Sequence, residues 1–148
     1  MVISNILRQH KRIMFDTAPV IYFIEQHDRY GSIADELFSV IRSDGSIYAF
    51  SSVITLTEVL TQPLRMSRMD IAEKYRNLLL NSKNFFIYPV DAIIAEKAAE
   101  LRARYSLRTP DALQIAVSVE NNASLFITND KGLSNIKEIE VLVLEKYV

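Results

Sequence analysis

Short runs of β-type apolar residues alternate along this chain with longer stretches of helical period, and that alternation restricts the fold more than any other feature. Arg12-Ile13-Met14-Phe15-Asp16 reads as a short buried strand ending on a carboxylate. Pro19 then suits the first turn of a helix carrying Val20, Ile21, Phe23 and Ile24. Ile33, Leu37, Val40 and Ile41 recur at i, i+4, i+7 and i+8, which predicts a second helix. Asp44-Gly45 marks a turn before a second strand, Ile47-Tyr48-Ala49-Phe50-Ser51. Ser52 is placed to cap a short helix from Val53 to about Thr61, stopped by Pro63, and Ile71, Tyr75, Leu78 and Leu79 set the next helix. Phe85-Phe86-Ile87-Tyr88 is a third strand. Asp91 caps a helix whose inner face is Ile94, Ala98, Leu101 and Tyr105. Thr109-Pro110-Asp111 opens a largely apolar helix, Ser124-Leu125-Phe126-Ile127-Thr128 is a fourth strand, and Val141-Leu142-Val143-Leu144 a fifth.

Strands separated by helices pair in parallel through right-handed crossovers. The expectation is therefore an α/β, three-layer α/β/α domain around a central, mostly parallel sheet of four or five strands. It spans residues 12–148, with residues 1–11 as an N-terminal extension to which no function is assigned. At 148 residues and 49% hydrophobic, the chain can bury a substantial core. It has no Cys, which excludes disulfides, thiolate metal sites and cysteine nucleophiles. The apolar start before His10, Lys11 and Arg12 is too short for a signal-peptide core, and no run approaches the ~20 residues that cross a bilayer. A cytoplasmic protein with no membrane association is expected. The net charge of −1 gives no general support for binding long nucleic acid by charge alone.

In an open α/β sheet, ligands bind beyond the carboxyl ends of the strands, and four acids fall there. Asp16 ends the first strand, Glu58 lies about two turns into the helix after the second, Asp111 is in a first helical turn, and Asp130 follows the fourth strand. Each has an ordinary structural explanation: a helix cap for Asp16, a helix N-terminus for Asp111, a turn for Asp130, a solvent face for Glu58. Together they differ, because carboxylates gathered at one end of a sheet repel unless a cation neutralises them. Hard oxygen donors suit Mg²⁺ or Mn²⁺, and a carboxylate-held metal activates water for attack on a phosphoryl group. His10 and His27 stand alone and read as surface residues.

Four stretches carry a resemblance: Met14-Phe15-Asp16-Thr17-Ala18-Pro19, Thr55-Leu56-Thr57-Glu58-Val59-Leu60, Thr109-Pro110-Asp111-Ala112-Leu113-Gln114-Ile115-Ala116, and Phe126-Ile127-Thr128-Asn129-Asp130-Lys131-Gly132-Leu133. In this order they resemble the PIN-domain family and, within it, the VapC-like toxins of prokaryotic toxin–antitoxin pairs. The resemblance implies a metal-dependent ribonuclease of single-stranded RNA. It implies catalytic Asp16, Glu58, Asp111 and Asp130, with Mg²⁺ or Mn²⁺ on Asp16, Asp111 and Asp130. Thr17, Arg108, Thr128 and Asn129 are the expected substrate-binding residues. Ser134 and Asn135 stand where some relatives carry a further acid, so no fifth ligand is assigned.

Arg65, Arg68, Lys74, Arg76, Arg102 and Arg104 are further basic residues, of which Arg68 and Lys74 read equally well as a solvated helix face. An aspartyl phosphatase is rejected because Ala18 stands where its second Asp is needed; Ile13-Met14 likewise lacks the acidic pair of a phospho-receiver. The remaining rival is a non-catalytic PIN-like module that binds protein or RNA. RNA, a cognate antitoxin and a second copy of the chain are the expected partners. Faces from Ile33 to Ile41 and from Ile71 to Leu80, with Leu64 and Met66 in a loop, are the candidate dimer surfaces.

Overall fold

A computed structural model describes residues 2–148. The elements run α1 (Val2–Arg8), β1 (Arg12–Phe15), α2 (Thr17–Ile24), α3 (Gly31–Ser43), β2 (Tyr48–Ser52), α4 (Val53–Arg65) and α5 (Met69–Asn81). They continue as β3 (Phe85–Tyr88), α6 (Ala92–Tyr105), α7 (Thr109–Glu120), β4 (Leu125–Thr128) and β5 (Glu140–Val143). Short 3₁₀ turns cover Lys131–Leu133 and Leu144–Tyr147. The five strands form one parallel sheet in the order β3-β2-β1-β4-β5.

Side chains of a strand alternate between faces, and the alternation here builds two separate cores. Ile13, Phe15, Ala49, Leu125 and Ile127 point to one side, where α1 to α5 supply Leu7, Val20, Leu37, Val59 and Tyr75. Met14, Phe50 and Phe126 point to the other, against Ile94, Ala98 and Leu101 of α6 and Ile115 and Ala116 of α7. Both faces of the central strands are covered, which is why they read as continuous apolar runs. The result is the expected three-layer α/β/α domain.

Two local expectations change. Pro63 does not stop α4, which continues to Arg65 with Leu64 inside it and Met66 as its C-cap. A proline in the last turn forfeits one backbone donor; the following donors still close the helix, Met66 N on Gln62 O at 3.0 Å and Arg68 N on Pro63 O at 2.8 Å. His10 is not a free surface residue. Its Nδ1 lies 2.8 Å from Ser124 Oγ and its Nε2 3.0 Å from Glu140 of β5. That clasp ties the segment before β1 to the far edge of the sheet, while Ile3 and Leu7 of α1 are buried against the core. No helix among the described residues is long and apolar enough to cross a membrane.

Candidate active site

Strand order reverses direction between β1 and β4: the chain winds outward through β2 and β3 on one side and through β5 on the other. The loops leaving β1 and β4 therefore diverge and open a crevice above their carboxyl ends. Pairing of Phe15 with Ile127 sets the register, and Asp16 N extends the ladder to Ile127 O at 2.8 Å. Asp16 and Thr128 thus emerge side by side. The crevice is an open cleft of about 710 Å³ lined by Asp16, Thr17, Ala18, Ile21, Tyr22, Glu58, Arg108, Asp111, Thr128, Asn129, Asp130 and Lys131. All four acids singled out from the sequence line it, as do Thr17, Arg108, Thr128 and Asn129.

Each acid is held by a local partner. Asp16 caps α2 by accepting from Thr17 N at 2.9 Å, and accepts from Thr128 Oγ1 at 2.7 Å and Gln114 Nε2 at 3.3 Å. Glu58, one α4 turn beyond Thr55, accepts from Thr17 Oγ1 at 2.6 Å. Asp111 in the first turn of α7 meets Arg108 Nε at 3.1 Å. Asp130 accepts from Gly132 N at 2.8 Å, and a Cβ at residue 132 would lie 3.1 Å from its Oδ1, a contact that a larger residue would relieve only by shifting the carboxylate. Both ends of the Asn129 amide are engaged: Nδ2 donates to Tyr22 Oη at 3.0 Å and Oδ1 accepts from Glu145 N at 2.9 Å.

Burial pushes the Asp16 carboxyl above its ordinary 3.8. Hydrogen bonds from Thr128, Thr17 N and Gln114 oppose that rise, while the negative charge of Asp111 adds to it. A carboxylate made costly to ionise by a neighbouring negative charge is a feature of cation sites. Among the described residues, however, no three His, Cys, Asp or Glu side chains surround one point at ligating distance. The donor set is wholly oxygen, and a small hard cation that keeps much of its water needs only one or two protein carboxylates. The residues present fit such an ion through Asp16 and Asp111, with Asp130 on the same cleft.

A model of the PIN domain matches residues 13–139. The chain belongs to the PIN domain family. Its fold is shared with VapBC2 from Rickettsia felis bound to a fragment of promoter DNA, at a TM-score of 0.69 and 16% identity over 89% of this chain and 98% of that one. VapC20 of Mycobacterium tuberculosis, a sarcin–ricin loop cleaving toxin, aligns at 0.68 and 20% identity over 86% and 98%. DNA-bound VapBC from Salmonella typhimurium aligns at 0.68 and 17% over 90% and 98%. At these identities the likeness is one of fold. No curated protein matches the sequence.

In this PIN domain the polar support beneath the acids was not evident in the sequence. Gln114 is 2% exposed and joins three elements. Its Oε1 accepts from Ser52 Oγ, while its Nε2 donates to Thr55 Oγ1 at 2.7 Å as well as to Asp16. The hydrogens can all be placed: Ser51 donates to Phe15 O, Thr55 to Ser51, Thr17 to Glu58. Every buried side-chain nitrogen and oxygen among the described residues has a hydrogen-bond partner. The available signal was a lone amide on the apolar face of α7, three residues after Asp111 and hence on its side of the helix. Of the basic residues drawn from the sequence, Arg108 lines the cleft; Arg68, Arg76 and Arg104 pair with Asp70, Glu73 and Glu138. Lys131 is a cleft cation that the sequence reading missed.

Proposed function

We propose that this PIN domain is the toxin ribonuclease of a toxin–antitoxin pair, hydrolysing phosphodiester bonds of single-stranded RNA with Mg²⁺ or Mn²⁺. The observation that carries the reading is the convergence of Asp16, Glu58, Asp111 and Asp130 on one cleft, with Asp16 half-buried beside a second negative charge. Asp16, Asp111 and Asp130 would hold the cation. When bound, it neutralises these carboxylates and stabilises charge on the scissile phosphate and attacking water.

The chain's own residues have separable tasks. Thr128, Gln114 and Thr17 N orient the Asp16 carboxylate. Thr17 holds Glu58 through Oε1, and the Glu58 carboxylate is the group that takes the proton from water. Arg108, whose side chain is 79% exposed, and Lys131 contact substrate phosphates; cations of this kind fix register rather than sequence. Cleavage of a labelled single-stranded RNA with Mn²⁺, repeated in excess EDTA, tests the reading. Activity is expected only with metal. Cleavage that survives chelation would overturn the mechanism, and no cleavage under any metal would favour the binding-module alternative.

The VapBC neighbours from Rickettsia felis and Salmonella typhimurium support an antitoxin as the protein partner. A homodimer is proposed through the α4–α5 connection, where Leu64, Met66 and Met69 are 44%, 60% and 54% exposed. The α3 face from Ile33 to Ile41 does not serve, because Ile33, Leu37, Val40 and Ile41 are consumed by the core.

A further inference from the structure

His27 is exposed, yet its ring is not free to turn. Its Nδ1 accepts from the backbone N–H of Arg29 at 3.1 Å and of Tyr30 at 3.2 Å, which leaves Nε2 to carry the proton. The ring centroid lies 4.9 Å from Tyr22 and 5.1 Å from Tyr30, and those two tyrosines stack at 4.7 Å with planes 25° apart. Their polar tips are pinned as well, Tyr22 Oη by Asn129 and Tyr30 Oη by Glu145. Three rings are therefore pre-set at the turn between α2 and α3, and Tyr22 also lines the acidic cleft. The Arg29 guanidinium lies 5.6 Å over the Tyr30 ring and is paired with Glu145 at 2.8 Å, while Lys131 lines the cleft.

We propose that His27, Tyr22 and Tyr30 form a base-stacking subsite for the single-stranded RNA whose scissile phosphate lies in the cleft. The proposal rests on the ribonuclease reading above and adds where the substrate's bases go. Unpaired bases present flat π surfaces that stack on aromatic rings with little regard to sequence. Rings already fixed by hydrogen bonds lose little freedom when a base docks. Continuity through Tyr22 places the subsite next to the reacting phosphate, where Lys131 on the same cleft supplies positive charge for the neighbouring backbone.

The decisive comparison separates the ring of His27 from its hydrogen bonds. His27→Asn keeps an acceptor for the turn and removes the ring; His27→Phe keeps a ring and removes the acceptor. Both are made in full-length Glu58→Gln protein, so that RNA binds with Mg²⁺ and is not cut, and thermal melts check folding. Affinity is read by anisotropy with a short labelled single-stranded RNA and with an abasic sugar–phosphate chain of equal length. His27→Asn is expected to weaken RNA binding roughly 5- to 150-fold, the worth of one stacked base. His27→Phe should stay near the parent, and neither should change affinity for the abasic chain. Unchanged RNA affinity in His27→Asn, an equal loss in both variants, or an equal loss with the abasic chain overturns the subsite, while metal-dependent cleavage by the unmutated chain keeps the ribonuclease reading. A chain that neither binds nor cuts RNA removes both.

Discussion

The Asp16 carboxylate is half-buried, held by three donors and faced by the charge of Asp111, so its ionised form is costly without a cation. Asp111→Asn removes that charge and keeps the side-chain shape. The metal-free variant should be as stable as the parent or more so, while cleavage falls by roughly 10²-fold or more. Mg²⁺ should raise the melting temperature of the parent and barely move the variant. An Asp111→Asn protein that cleaves at the parental rate removes Asp111 from the site. Acidity supplies a second test. Because the folded Asp16 binds its proton more readily than the unfolded chain does, its stabilising contribution is full below 3.8 and is lost as pH rises through the raised folded value. Subtracting the urea-unfolding profile of Asp16→Asn from that of the metal-free parent should show this fall, and a flat difference would contradict the burial argument. Gln114→Leu strands the Ser52 hydroxyl and withdraws a donor from Asp16. It should cost about 1–3 kcal/mol of stability and about 10- to 100-fold in metal affinity, read by unfolding and by calorimetric Mn²⁺ titration.

At the level of elements, strands and helices were legible because their periods differ. The caps were legible where a short polar side chain precedes an apolar run: Ser52 accepts from Ile54 N at 3.0 Å and Asp91 from Ile94 N at 3.0 Å. Pro63 misled because local preference weighs the lost donor and not the burial of the ring, which is packed inside the last turn of α4. The first eleven residues offered only a brief apolar pattern, and its significance depends on contact with α3, more than twenty positions away. Leu7 is fully buried and Val2 is 69% exposed. Leu7→Ala should therefore destabilise the protein by about 2–5 kcal/mol, and Val2→Ala should lie within about 0.5 kcal/mol of zero. Equal effects in chemical denaturation would mean that α1 does not dock in solution.

For the whole molecule, the reversal of strand order between β1 and β4 makes one cleft out of residues from four separate stretches. The α4–α5 connection, which does not line that cleft, carries the exposed Leu64, Met66 and Met69. Met66→Glu is expected to shift sedimentation toward monomer at tens of micromolar, a range in which ordinary homodimers persist, without altering the cleft. A parent chain that sediments only as monomer there, or a variant that still dimerises, would count against this face.

The sequence by itself determined the three-layer class, the parallel pairing and the gathering of four acids at one end of the sheet, because period, crossover handedness and strand-end placement are local consequences of residue order. Only the tertiary structure decided which polar groups support them. The bonds from Gln114 to Asp16, Asn129 to Tyr22 and His10 to Glu140 join residues 98, 107 and 130 positions apart. Hydrogen bonds over such separations follow from how helices settle on the sheet, and no local spacing encodes them.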